Sequence, residues 1–115
     1  MFLAAPAAAG PYILVDATTG RVIAQHEAGR PWYPASISKL MTAFVALRAM
    51  RDGRVTPDTL LTVTERAYHE APSKMGFPLG TQVTLDNALE MLMVKSANDM
   101  AVVIAEGVGG TYENF

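Results

Sequence analysis

Tyr33-Pro34-Ala35-Ser36-Ile37-Ser38-Lys39-Leu40-Met41-Thr42 passes from loop to helix, and the rest of the fold can be read outward from it. Pro34 biases the residue before it away from helical backbone, and Ser36 offers an N-cap or a first-turn side chain. Beyond it Ile37, Leu40, Met41, Phe44, Val45 and Leu47 recur at steps of three and four until Asp52-Gly53 supplies a glycine stop. The spacing predicts an amphipathic helix whose apolar stripe is buried.

Upstream, Tyr12 to Asp16 and Val22 to Ala24 are short apolar runs separated by the turn residues Ala17 to Gly20, the pattern of a β-hairpin. Glu27 to Ala35 carries Gly29, Pro31 and Pro34 and reads as a loop. Downstream, Leu60 to Val63 reads as a short strand, and Thr64 to Gly80 as irregular chain with at most one short helix. Thr84 caps a second helix whose apolar face is Leu85, Ala88, Leu89, Leu92 and Met93. Lys95-Ser96-Ala97-Asn98 breaks it, Asp99 to Glu106 resumes as helix, Gly107 and Gly109-Gly110 close that one, and Thr111 reads as the opening of another. Met41, Met50, Met75, Met91, Met93 and Met100 are expected as core filler.

With 115 residues, half of them hydrophobic and 17% charged, the chain has the profile of one globular domain at most. A net charge of −2 leaves no basic footprint, so nucleic acid is not expected as a partner. The absence of Cys removes thiolate chemistry, and His26 and His69 lack ligand spacing, so no metal site is expected. Met1 to Val15 is uncharged but interrupted by Pro6, Gly10 and Pro11, and it falls short of the roughly 20 apolar residues a membrane span needs. Ala7 and Ala9 flanking Ala8 resemble the cleavage end of an export signal, and residues 1–11 are read as a leader remnant or flexible tail. That implies an exported, periplasmic or envelope-associated protein.

Two constellations carry chemistry. Ser36 and Lys39 stand three apart, which on a helix brings their side chains together, and the lysine, placed second, leans back toward the serine. Serine as nucleophile and lysine as base is the chemistry this order allows, provided the surroundings favour the neutral amine. Four Ser and three Lys produce such a spacing by chance about one time in ten, and Ser36 can equally be only a cap. Ser96 and Asn98 point the same way only if their segment is extended; otherwise Asn98 is a cap for the following helix. The two pairs supply the groups that proton relay and amide recognition need.

The decapeptide around Ser36, the Leu14-Val15-Asp16-Ala17-Thr18-Thr19-Gly20 hairpin and Leu89 to Asp99 together resemble the serine D-alanyl-D-alanine carboxypeptidases, the low-molecular-mass penicillin-binding proteins. The resemblance runs from about Ile13 to Phe115. It implies an α/β (α+β) fold of the penicillin-binding and β-lactamase-like type: an N-terminal hairpin belonging to an antiparallel sheet, plus a helical region. Residues 12–115 would be the N-terminal portion of the catalytic domain, with the C-terminal strands absent. It further implies that Ser36 forms an acyl ester with the penultimate D-Ala of a peptidoglycan stem peptide ending in D-Ala-D-Ala. Lys39 would be the base, Ser96 a proton relay and Asn98 the holder of the substrate amide, with no cofactor and with β-lactam antibiotics as covalent inhibitors. The family's third motif, Lys-Thr-Gly or a close variant, does not occur in the 115 residues, so the chain by itself is expected to be inactive. The alternatives are a noncatalytic peptidoglycan-binding or interaction module and a serine β-lactamase-like hydrolase.

Overall fold

The computed structural model describes residues 10–115, so most of the leader expectation for residues 1–11 lies outside the described residues. The described chain divides into two compact units that meet in sequence between Pro34 and Ala35.

In the first unit β1 (Tyr12–Val15) pairs antiparallel with β2 (Val22–His26), from Tyr12 opposite His26 to Val15 opposite Val22, with a register shift between Leu14 and Val15. The Asp16 carboxylate makes the turn by accepting the Thr18 and Thr19 N–H groups at 2.9 and 2.8 Å. The Thr19 N–H, followed by the Thr19 hydroxyl and the Thr18 N–H, holds its pKa below the usual carboxylate value. Gly20 closes the turn at φ 71°, a conformation glycine adopts without Cβ strain. His26 stacks on Tyr12, their ring centroids 6.0 Å apart.

The second unit is built on α1 (Ser38–Arg51), β3 (Leu60–Thr62), α2 (Glu65–Tyr68), β4 (Gln82–Thr84), α3 (Leu85–Lys95) and α4 (Asn98–Gly109). α4 is its axis: Met100, Val102, Val103, Ile104, Ala105 and Val108 are all buried, as befits a helix that is apolar most of the way round. α1, α2, α3 and β3 pack against it. β3 pairs antiparallel with β4, Leu61 opposite Val83, and Leu61 points into the core. Thr84 caps α3 as its sequence implies, its hydroxyl accepting the Asn87 N–H at 3.3 Å.

Four expectations need correction. The first concerns the α1 stripe. Ile37, Leu40, Met41, Phe44 and Leu47 are more than half exposed, while Ala43, Ala46 and Ala49 are buried. The helix turns its small side chains to the rest of the unit because small residues let two helix axes approach closely, and the large face is left outward. Met41 is therefore a surface residue; Met93, at the edge of the apolar face of α3, is exposed as well, whereas Met100 is core. Second, β4 is a strand that periodicity did not reveal, since Gln82–Thr84 is too short to show alternation. Third, α4 runs through Gly107 and stops only at Gly110, because buried neighbours on both sides of Gly107 hold the helix together. Fourth, Thr111 begins a turn, closed by the Asn114 N–H on the Thr111 carbonyl, and no helix forms among the described residues there.

Replacing Ala46 by Leu is expected to destabilise the protein by about 1–3 kcal/mol, since a fully buried methyl has no room for an isobutyl group. Urea titration checks it, and a variant as stable as wild type would mean the α1 seam is loose.

Candidate functional site

The chain enters α1 through one 3-10 turn, Ala35–Ile37, so Ser36 lies just before the α-helix rather than within it. It is not a cap: the position preceding α1 is Ile37, and no side chain caps it. Ser38 instead ties the turn, its hydroxyl donating to the Ala35 carbonyl at 2.8 Å. Ala35 holds φ 47°, an uncommon conformation for a residue with a Cβ and one that costs energy unless its surroundings enforce it.

Lys39, one turn on, is half-buried. Its Nζ donates to the Ser96 carbonyl at 2.5 Å, to the Ser96 hydroxyl at 2.9 Å and to Asn98 Oδ1 at 2.6 Å, using the three donors of an ammonium. Ser96 Oγ in turn donates to Ser36 Oγ at 3.0 Å. The four residues singled out in the sequence thus meet at one place, from stretches about 60 positions apart. Their connectivity differs from expectation: among the described residues no hydrogen bond joins Lys39 directly to Ser36, and the Ser96 hydroxyl bridges them. A cleft of about 330 Å³ opens over Ser36, Lys39 and Ser96, lined also by Ile37, Leu40, Leu92 and Met93, while Asn98 lines a separate cavity of about 380 Å³.

The corner between α3 and α4 places Ser96 and Asn98. Ser96 ends α3 in the left-handed conformation, φ 58° and ψ 38°, and Ala97 returns to extended backbone before α4 begins. The left-handed residue turns the chain and points both the Ser96 carbonyl and hydroxyl at Lys39. Asn98 does not cap α4: its Nδ2 donates to the Ala71 carbonyl at 2.9 Å while its Oδ1 receives Lys39. Ser73 and Lys74 form no second pair of this kind. Ser73 bonds the Lys95 carbonyl and Lys74 the Tyr68 carbonyl. Among the described residues no cluster of His, Asp or Glu is suited to a metal, and no helix is long and apolar enough to cross a membrane.

Sequence reasoning missed Asp99, which is 2% exposed behind Asn98. An acidic residue in the first turn of a helix is so common at exposed positions that its type alone carries no sign of burial.

Ser96 allows a test that separates fold from chemistry. Ser96→Gly removes the hydroxyl and also the strain of a left-handed non-glycine residue, so it is expected to be about 1 kcal/mol more stable than Ser96→Ala, in which the strain remains. Thermal melts of the two variants decide this, and equal stability would show that the surroundings, not the residue, bear the strain.

Residues 3–115 match the family model described as D-alanyl-D-alanine carboxypeptidase. The chain is 34% identical over 113 residues to D-alanyl-D-alanine carboxypeptidase DacD of Escherichia coli, covering 93% of this chain and 29% of that protein. It is 32% identical over 107 residues to DacA of Haemophilus influenzae, covering 90% of this chain and 27% of that one. In structure it superposes on the D-alanyl-D-alanine carboxypeptidase DacD from Francisella tularensis with a TM-score of 0.86 at 28% identity, over 90% of this chain and 25% of the other. On penicillin binding protein 6B from Escherichia coli it superposes with a TM-score of 0.82 at 34% identity, over 90% and 34%. The chain therefore spans between a quarter and a third of the length of these relatives, and it has the α+β fold of the matching part. With the motif residues joined by hydrogen bonds and a family match from residue 3 to the last, the chain belongs to the D-alanyl-D-alanine carboxypeptidase family.

Proposed function

We propose that this chain carries the acylating half of a serine D-Ala-D-Ala carboxypeptidase site that acts on peptidoglycan stem peptides. The reading rests above all on the hydrogen-bonded line Lys39–Ser96–Ser36 at the floor of an open cleft. In the structure Lys39 donates to Ser96 and Ser96 to Ser36. For reaction the line runs the other way, with the lone pair of a neutral Lys39 amine accepting from Ser96 and Ser96 accepting from Ser36. The Ser36 oxygen bonds to the carbonyl carbon of the penultimate D-Ala as its proton passes along that line to Lys39. The same proton then returns by Ser96 to the departing amino group as the C–N bond to the terminal D-Ala breaks. Water hydrolyses the ester, transferring the acyl group to solvent and restoring the Ser36 hydroxyl. Asn98, through its amide, orients the substrate peptide and holds Lys39.

The cleft residues come from α1, α3 and their ends, and the described strands supply none of them. Lys-Thr-Gly is likewise missing from the 115 residues, so an oxyanion-hole donor from such a strand would have to come from further chain. A lost donor of that kind typically lowers the rate by about 10²- to 10³-fold. The 115 residues by themselves are accordingly expected to release no measurable D-Ala. Export to the periplasm or envelope follows from the proposed substrate.

The test is covalent labelling by penicillin of the longest natural polypeptide that contains these residues, read by intact mass and peptide mapping. One adduct on Ser36, lost in Ser36→Ala, is the expected result. Label on Ser38 or Ser73, or none at all, removes the proposal, and the last outcome would favour a binding module without chemistry.

A further inference from the structure

Asp99 is the buried carboxylate of the second unit, and the mechanism above gives it no task. Among the described residues it forms no ion pair. Its oxygens accept backbone N–H groups instead: Met75 at 3.0 Å to each oxygen, Gly76 at 2.9 Å and Met100 at 2.9 Å. Two of these donors lie in the segment 71–76, which has no regular structure of its own. That segment returns two contacts to the residue beside Asp99. The Ser73 carbonyl accepts the Asn98 backbone N–H at 2.7 Å, and the Ala71 carbonyl accepts Asn98 Nδ2 at 2.9 Å.

The second contact decides which end of the Asn98 amide faces Lys39. A primary amide is nearly symmetric in shape, but its nitrogen only donates and its oxygen only accepts. With Nδ2 held by Ala71, Oδ1 faces Lys39 Nζ at 2.6 Å. The opposite orientation would bring an N–H group against an N–H donor of lysine and leave the Ala71 carbonyl without its partner.

We infer that Asp99 is a positioning residue for the candidate site: by anchoring 71–76 through the Met75 and Gly76 amides, it keeps the Ala71 carbonyl where it fixes the Asn98 amide, and thereby fixes Lys39. Charge suits the task, since a carboxylate has lone pairs enough for three donors, while an asparagine at the same place offers one oxygen and turns a competing donor toward them. The activity arm of the test rests on the acylation of Ser36 proposed above; the exchange arm does not.

In the natural polypeptide, Asp99→Ala is expected to speed hydrogen exchange at the Met75 and Gly76 amides and at the Asn98 side-chain amide by about tenfold or more, while Val103 and Ile104 of α4 stay protected. Acylation by penicillin should fall by about 10- to 100-fold, since small misplacements of catalytic groups have effects of that size. Asp99→Asn, which preserves shape and one acceptor, should fall between, and it carries the same comparison if Asp99→Ala does not fold. Leu61→Ala, a core substitution on β3 away from the cleft lining and from α3, supplies a destabilised control that should acylate like wild type with Asn98 protected. Wild-type protection of the Asn98 side chain in a folded Asp99 variant would overturn the inference, as would an equal acylation loss in Leu61→Ala. If the wild type itself does not acylate, the Ser36 reading falls, and the exchange rates alone still decide the role of Asp99.

Discussion

Lys39→Arg is expected to slow acylation of Ser36 by about 10²- to 10⁴-fold, the range that general-base assistance supplies. The charge is unchanged, which is what makes the substitution informative. Lys39 Nζ fills a small space between the Ser96 carbonyl, the Ser96 hydroxyl and Asn98 Oδ1, all within 2.9 Å. A guanidinium there can still donate hydrogen bonds, and it can still lower the energy of nearby negative charge, but it does not lose a proton in a protein. A base is removed while a cation is kept. Stopped-flow measurement of penicillin acylation in the natural polypeptide is the check. A rate within about threefold of wild type would assign Lys39 a purely electrostatic part and would move the base elsewhere.

Ile104→Ala should have the largest effect on stability, about 2–5 kcal/mol, from the lost transfer energy and the cavity left behind. Ile104 is fully buried on α4, the helix against which α1, α2, α3 and β3 all pack, so no single neighbour can move to fill the space. The comparison that sharpens it is Leu47→Ala. Leu47 is as apolar as Ile104 and stands in the apolar stripe of α1, yet it is 54% exposed, and its truncation should change stability by no more than about 0.5 kcal/mol. Denaturant titrations of the two variants side by side decide it. Equal losses would mean that the outward face of α1 is covered in solution.

That contrast also marks where the sequence was legible. The helices of α1, α3 and α4, the hairpin and the Thr84 cap could be read because each is a local matter: Thr84 needs only the Asn87 N–H three residues on, and the turn at Asp16 only Thr18 and Thr19. The side of α1 that is buried could not. Its large residues form a regular stripe, and periodicity cannot tell that the neighbouring helix wants alanine methyls at close range. The site divides in the same way. Ser36, Lys39, Ser96 and Asn98 were visible as residue types at informative spacing, but the Ser96 bridge depends on a left-handed residue at a corner, and Asp99 depends on a distant segment folding back over it.

The cleft's hydrogen bonds join residues 57 to 60 positions apart. Helices of this length form in about a microsecond from local contacts alone, whereas a contact across so long a stretch must first meet the entropy of closing the loop. On these grounds the helical turns are expected to form and re-form early in folding and the Lys39 cluster to close late. For this chain the polar centre serves as a clock: its assembly records that α1 has docked on α4 in register, which no helical signal can report.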